Sequence, residues 1–339
     1  MSFGLCTGLE TLRDSLPDKA VRTTRLAGLL RWPLMRIETT PVFRSLLTGP
    51  GAWQAADFPG PQDWTYRLSP DLDVEAIRRD LFEGRGFVVI QGVPVGDEEQ
   101  ARRVYLEVAG RLGTPMAQNA RGDLLYSVRN EGQSIEKQYG TVGVRFSKTN
   151  LGLDYHTDAG PMFGGGTADI VGLLCLQEAR SGGLSALVSA QTVHNIILEE
   201  RPDYLERLYQ RYYWDRRAEL RPGESPVLEA PVFTYNGSLA VRHFPFYIHK
   251  APEVTGIRLT EADTAPLAFL DEVMAREGLA AMFAMDRGDI QLVNNRAILH
   301  SRTSYEDWPE PERRRHLLRL WLNARGPAPG SNSPIPASR

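Results

Sequence analysis

Residues 288–302 read GDIQLVNNRAILHSR, and the fold is decided on this stretch. Gly288-Asp289 supplies a turn, Ile290–Val293 is a β-branched and apolar run suited to a buried strand, and Ala297–Arg302 forms a second strand that carries His300. Outward from it, everything after about residue 120 has the same texture. Short β-like runs (DIVGLLCLQE, SALVSA, PVFTY, SLAVRHF, LLRLWL) are divided by Gly, Asp, Asn and Pro. Helical spacing interrupts them at 192–214 and 260–278. Many short strands with turn signals between them point to a sandwich or jelly-roll barrel. Upstream, 73–86 and 98–113 have helical periodicity closed by glycine, and FVVIQGV at 87–93 reads as a buried strand between them.

The fold class expected is therefore mainly β with flanking helices (α+β), on a jelly-roll core. Residues 1–63 form a lead-in packed on that core, with an amphipathic basic helix at 25–36 and a Gly/Pro-dense stretch at 49–64. Residues 64–323 make a single domain, and the tail 324–339 lacks apolar periodicity and is expected to be disordered.

Composition excludes several functional classes. The chain has 339 residues and a formal net charge of −3, without the basic excess a nucleic-acid-binding domain carries. Lysine occurs only at Lys19, Lys137, Lys148 and Lys250, so arginine dominates the basic residues, as the codon bias of a GC-rich genome would produce. Cys6 and Cys175 cannot build a disulfide framework, and no C-x-x-C pair exists. No signal-peptide pattern or membrane-length apolar run is present, so a cytoplasmic protein with no membrane partner is expected.

With six histidines, each can be questioned. His156 lies in LGLDYHTDAGP, two residues before Asp158. On a strand, residues i and i+2 share a face, so imidazole and carboxylate can converge on one metal ion. At this composition about 0.7 H-x-[DE] matches arise by chance, so the pair needs support. His300, far along the chain, supplies it, because a jelly-roll brings early and late strands side by side. Two histidines and one carboxylate are the facial triad of non-haem Fe(II) oxygenases. In RRRHLLRLWL, 313–322, a strand places Arg315, Leu317, Arg319 and Trp321 on one face, with His316, Leu318, Leu320 and Leu322 on the other. Two guanidiniums aimed alike from an apolar strand require an anionic ligand or partner carboxylates. A planar fork suits a carboxylate, so a dicarboxylate held between metal and arginine fits.

YHTD, NNRAILHSR and RHLLRLWL together resemble the taurine dioxygenase and clavaminate-synthase-like group of Fe(II)/2-oxoglutarate oxygenases, from about Trp64 to Leu322. The resemblance implies a double-stranded β-helix, Fe(II), 2-oxoglutarate and O2, and a small-molecule substrate oxidised at an unactivated C–H bond. It assigns His156, Asp158 and His300 as iron ligands and Arg315 to the far carboxylate of 2-oxoglutarate. Arg319 matches a second arginine near the chelating end. Ser185, in SGGLSAL, stands where the family usually has threonine, whose hydroxyl assists the far carboxylate. Asp158 is a true carboxylate, where related halogenases have a small residue, so halogenation is disfavoured.

His243, on a run read as a strand, is a candidate for lining the substrate pocket. Arg302, which shares a strand face with His300, is either a substrate contact or half of a structural ion pair. His249, close by in AVRHFPFYIHKA, is a weaker candidate for the same pocket, and His194 and His316 are read as structural or surface residues. The GC-rich signature suggests tailoring of a bacterial specialised metabolite, with catabolism of a small organic acid as the alternative. A cupin-type metal-dependent hydrolase or isomerase, or a non-catalytic binding protein on the same scaffold, is the rival from another class.

Overall fold

Asp73 and Asp97 start the two N-terminal helices, Val74–Phe82 and Glu98–Gly110, by accepting hydrogen bonds from Ala76 N (2.9 Å) and Glu99 N (3.0 Å). Between them Phe87–Gln91 enters a sheet, as its apolar run predicts. The computed structural model describes residues 34–119, 121–132, 146–158, 167–216 and 223–324. Most of the helix expected at 25–36, most of the glycine-rich 161–169 and nearly all of the tail lie outside the described residues. Met35-Arg36 is not the end of a helix. It is a strand paired in parallel with Leu228-Glu229.

Two sheets carry the fold. The larger is ordered Thr65–Arg67, Phe87–Gln91, Ile290–Asn294, Ile170–Gln177, His316–Asn323, Thr114–Met116, with Leu125–Val128 also paired to His316–Asn323. The smaller is ordered Ala281–Phe283, Ser185–Ser189, Ile298–Arg302, Leu153–His156. The turn before Ile290 depends on Gly288, whose φ is +91° and where a Cβ would sit 2.5 Å from Val93 O.

Alternation along each strand sorts the core into layers. Phe87, Val89, Val171, Val293 and Trp321 of the large sheet pack on Leu187, Ala281 and Ile298 of the small one, so the two sheets face each other. The opposite side of the large sheet (Val88, Ile90, Leu174, Leu292, Leu318, Leu320, Leu322) is covered by the two N-terminal helices. Val188 and Leu299, on the outside of the small sheet, sit under Ala190–Glu200, Pro202–Leu208, Pro245–Thr255 and Glu261–Met274. The chain is thus sheet-rich with flanking helices. Among the described residues, no helix is long and apolar enough to cross a membrane.

Two expected elements differ. The helical stretch 192–214 is two helices broken at Pro202, and its end is a strand, Tyr212–Asp215, antiparallel to Val227–Ala230. Its aromatic Tyr212, Tyr213 and Trp214 favour the pleated surface over a helix. The strand read through His243 stops at Val241. A helix then runs from Pro245, a residue whose fixed φ suits a first turn, to Thr255, so His249 lies on a helix and is exposed.

Candidate active site

His156 is the last residue of its strand, and His300 lies directly across from it on the antiparallel neighbour. The two rings are 4.2 Å apart between centroids. Asp158 follows two residues beyond the strand end, with its Oδ1 3.5 Å from His156 Nε2 and 4.0 Å from His300 Nε2. One ligand atom from each residue lies within 4.8 Å of the others, and all three residues are buried. The early and late strands therefore do meet as the jelly-roll argument requires.

The protonation states suit a cation. His156 Nδ1 donates to Asp154 O at 2.9 Å, which turns its Nε2 toward Asp158. Burial, reinforced by His156, pushes the His300 imidazole down to about 3, so it is neutral at working pH. Burial alone would raise Asp158. The Arg319 guanidinium and the adjacent histidines outweigh it and hold the carboxyl well below the usual range. The donor set is thus two imidazoles and one carboxylate, the set that holds Fe(II) with open positions on one face.

The two oxygens of Asp158 have different surroundings. Oδ2 accepts from Trp321 Nε1 at 2.8 Å and lies 3.1 Å from Arg319 Nη1, while Oδ1 faces the histidines. Arg319 is itself oriented by Gln118, whose Oε1 accepts from Arg319 Nε at 2.8 Å and whose Nε2 donates to Arg319 O at 2.7 Å. Leu317 and Trp321 share the Arg319 side of the strand and Leu318, Leu320 and Leu322 the other, which is the period-two division expected from sequence. Trp321 and Gln118 were not singled out as site residues. Trp321 was legible from its place on the arginine face, and Gln118 had no local signal.

Arg315 precedes that strand. Its backbone N donates to Asp307 Oδ1 at 2.8 Å, its guanidinium lies 4.9 Å from the Tyr305 ring centroid, and its Nη1 is buried without a hydrogen-bond partner among the described residues. Arg302 lies 4.9 Å from the same ring. Its Nη2 donates to Thr149 O and Leu151 O, and its Nε is likewise buried and unpartnered among the described residues. Burial, then the charge of Arg315, pull Arg302 down to about 10, which leaves it protonated at neutral pH. A buried guanidinium and a half-buried one, each with a buried donor unmet among the described residues, suit an anionic group. Ser185, also buried, is the cross-strand partner of Arg302.

His243, the candidate for the substrate pocket, is held by its neighbours. Its ring is fully buried, with Nε2 2.8 Å from Asp271 Oδ1, and its backbone is bonded to Thr157 in both directions (2.7 and 3.0 Å). It therefore touches the chain between His156 and Asp158. His194 is buried beside Tyr209 OH at 3.0 Å, and His316 bonds to Ser127 Oγ.

A buried 2-His-1-carboxylate cluster, with unpartnered donors on Arg302 of the His300 strand and on Arg315 just before the Arg319 strand, defines the class of non-haem iron oxygenases that use an oxoacid cosubstrate. The chain belongs to the taurine catabolism dioxygenase TauD, TfdA family, whose model matches residues 47–321. It is a non-haem iron, 2-oxoglutarate-dependent dioxygenase. It is 29% identical over 321 residues to the FR-33289 synthase of Streptomyces rubellomurinus, covering 83% of this chain and 91% of that protein. It is 28% identical over 279 residues to the taurine hydroxylase-like protein SAT17 of Stachybotrys chartarum, covering 75% of this chain and 64% of that one. The same fold occurs in an asparagine oxygenase solved with Fe(II), 2S,3S-3-hydroxyasparagine and succinate, at TM-score 0.55 and 20% identity over 74% of this chain and 78% of that one. It also occurs in the non-haem iron oxygenase OrfP solved with Fe and alpha-ketoglutaric acid, at TM-score 0.55 and 15% identity over 74% and 79%.

Proposed function

We propose that His156, Asp158 and His300 hold the iron, that Arg315 binds the far carboxylate of 2-oxoglutarate with help from Ser185, and that the enzyme hydroxylates an unactivated C–H bond of a small molecule. The observation that carries this reading is the asymmetry of Asp158. Arg319 and Trp321 hold Oδ2, so Oδ1 is the oxygen left to face the two imidazoles. The two facing sheets are read as the double-stranded β-helix of the family, formed by one domain from about residue 64 to 323.

Iron bound with 2-oxoglutarate and O2 supplies the oxidising chemistry, and the cosubstrate leaves as succinate and CO2. The protein's part is positional. His156 and His300 present ring nitrogens from adjacent strands, and Arg319 keeps Asp158 ionised and would lie near the chelating end of a bound cosubstrate. Arg315, with its buried Nη1 unpartnered among the described residues, would hold the distant carboxylate of 2-oxoglutarate and so set its register. Arg302, beside Arg315 across Tyr305, adds positive potential at that end or meets the substrate. No side chain is assigned a proton-transfer role. The match to FR-33289 synthase along nearly its whole length supports a role in tailoring a specialised metabolite.

The test is turnover under air with Fe(II), 2-oxoglutarate and a panel of small acidic metabolites. Succinate release coupled to a product one oxygen heavier is expected. Product formation that proceeds without 2-oxoglutarate would overturn the reading and favour a cupin-type reaction.

A further inference from the structure

Asn294 and Asn295 are adjacent and buried, and their side chains do different things. Asn294 donates from Nδ2 to Leu81 O (3.0 Å) and accepts at Oδ1 from Arg296 N (3.0 Å), which ties the turn to the first helix. Asn295 turns toward the site. Its Oδ1 accepts from Asp158 N (2.8 Å), and its Nδ2 donates to Asp158 O (3.0 Å) and to Ala168 O (3.0 Å). Its own backbone N donates to Asp169 O at 2.9 Å.

Both polar backbone atoms of Asp158 therefore close on one primary amide, and that amide spends both of its N–H groups and its oxygen in doing so. This matters because the strand carrying His156 ends at His156. Asp158 has no sheet ladder to fix its backbone, and the direction of its Cα–Cβ bond would otherwise be set by a short irregular stretch. Two hydrogen bonds to one planar group remove that freedom. The same side chain also fixes Ala168, so the chain departs from the ligand and returns under a single clamp.

We propose that Asn295 is a positioning residue for the metal centre, aiming the Asp158 carboxylate by holding the backbone of residue 158. Arg319 and Trp321 then fix the rotation of the carboxylate, and Asn295 fixes the point from which it projects. Only an amide meets the need. Aspartate would set a second acceptor against two carbonyl oxygens, and serine would supply an acceptor without the two donors. The inference rests on Asp158 being a metal ligand.

The experiment titrates the metal-free full-length protein with Co(II) and follows the visible d–d bands, with thermal melting of the metal-free protein measured alongside. Asn294→Ala is the control, since it deletes a neighbouring buried amide that makes two hydrogen bonds, neither of them to Asp158. Asn295→Ala is expected to weaken Co(II) binding by roughly tenfold to a hundredfold, the usual scale for residues that orient a ligand. Its band intensities should change, whereas Asn294→Ala lowers the melting temperature with Co(II) affinity and spectrum unchanged. Equal Co(II) affinities in the two variants would overturn the proposal. If Asn295→Ala does not fold, Asn295→Ser decides on the same readout, with wild-type affinity as the overturning result. Asp158→Ala separates the two layers of the argument. Should it bind Co(II) as wild type does, the metal-site reading itself fails; should it lose Co(II) while the Asn295 variants keep it, only the Asn295 proposal fails.

Discussion

Replacing Arg315 by alanine gives the sharpest separation of cosubstrate binding from everything else at this site. The guanidinium is buried at 5% exposure, stacks on Tyr305, and has one nitrogen with no partner among the described residues. If its function is to meet the far carboxylate of 2-oxoglutarate, its loss leaves that carboxylate in a buried site without its countercharge. Removing one member of a buried ion pair costs about 3–5 kcal/mol. At about 1.4 kcal/mol per decade, half-saturation by 2-oxoglutarate should rise by roughly one hundredfold to three-thousandfold. Arg315→Lys keeps the charge and loses the fork, so about 1.5–3 kcal/mol, or roughly tenfold to a hundredfold, is expected. The assay is succinate release as a function of 2-oxoglutarate at saturating substrate, and then of substrate at saturating 2-oxoglutarate, with Co(II) affinity as a check on the metal site. The substrate dependence and Co(II) affinity should change by less than about threefold. Equal rises in both half-saturation values, or an unchanged one for 2-oxoglutarate, would refute the assignment.

Three further outcomes follow from named contacts. Gly183→Ala places a Cβ 3.0 Å from Arg315 Nε at a φ of +69°, so it should weaken 2-oxoglutarate more than substrate, and an unaffected cosubstrate dependence would separate Gly183 from the Arg315 site. Asp158→Ala should abolish iron binding, and the donors of Arg319 and Trp321 lose their shared acceptor, so the metal-free melting temperature should fall as well. His194 is buried in the helical layer and burial lowers it from 6.5 to about 4, so its neutral form stabilises the fold above about pH 6.5. That contribution, about 3 kcal/mol at 1.36 kcal/mol per unit, is lost as pH falls from about 6.5 toward 4 because the unfolded chain takes up the proton first. His194→Gln should flatten that acid limb in denaturant-melting experiments across pH 4–7.

How much of this was legible in the sequence depends on the range of the interaction. His300 and Arg319 could be placed because period-two alternation fixes which way a strand residue points, and His156 because it closes such a strand. The two sheets followed from β-branched runs and turn residues, which are local signals. Local signals also misled. The stretch 192–214 keeps helical spacing into Tyr212–Trp214, where pairing with Val227–Ala230 wins over periodicity. The helix Pro245–Thr255 was hidden behind the β-like run that ends in His243, although Pro245 occupies a first-turn position where proline is favoured. Asn295, Gln118 and Trp321 act across 137, 201 and 163 residues of sequence. Nothing beside a buried amide says which distant backbone it will meet. His243 likewise meets its partner, Asp271, across 28 residues of sequence, with no local signal for the pairing.

The most direct test of the account is anaerobic addition of Fe(II) and then 2-oxoglutarate to the metal-free protein, followed by visible absorption. The account predicts a single iron per chain and a metal-to-cosubstrate charge-transfer band that needs both additions. The band should be absent in His156→Ala, Asp158→Ala and His300→Ala, and should form in Arg315→Ala only at much higher 2-oxoglutarate. A band of wild-type intensity in any of the three ligand variants would place the iron elsewhere and contradict the account.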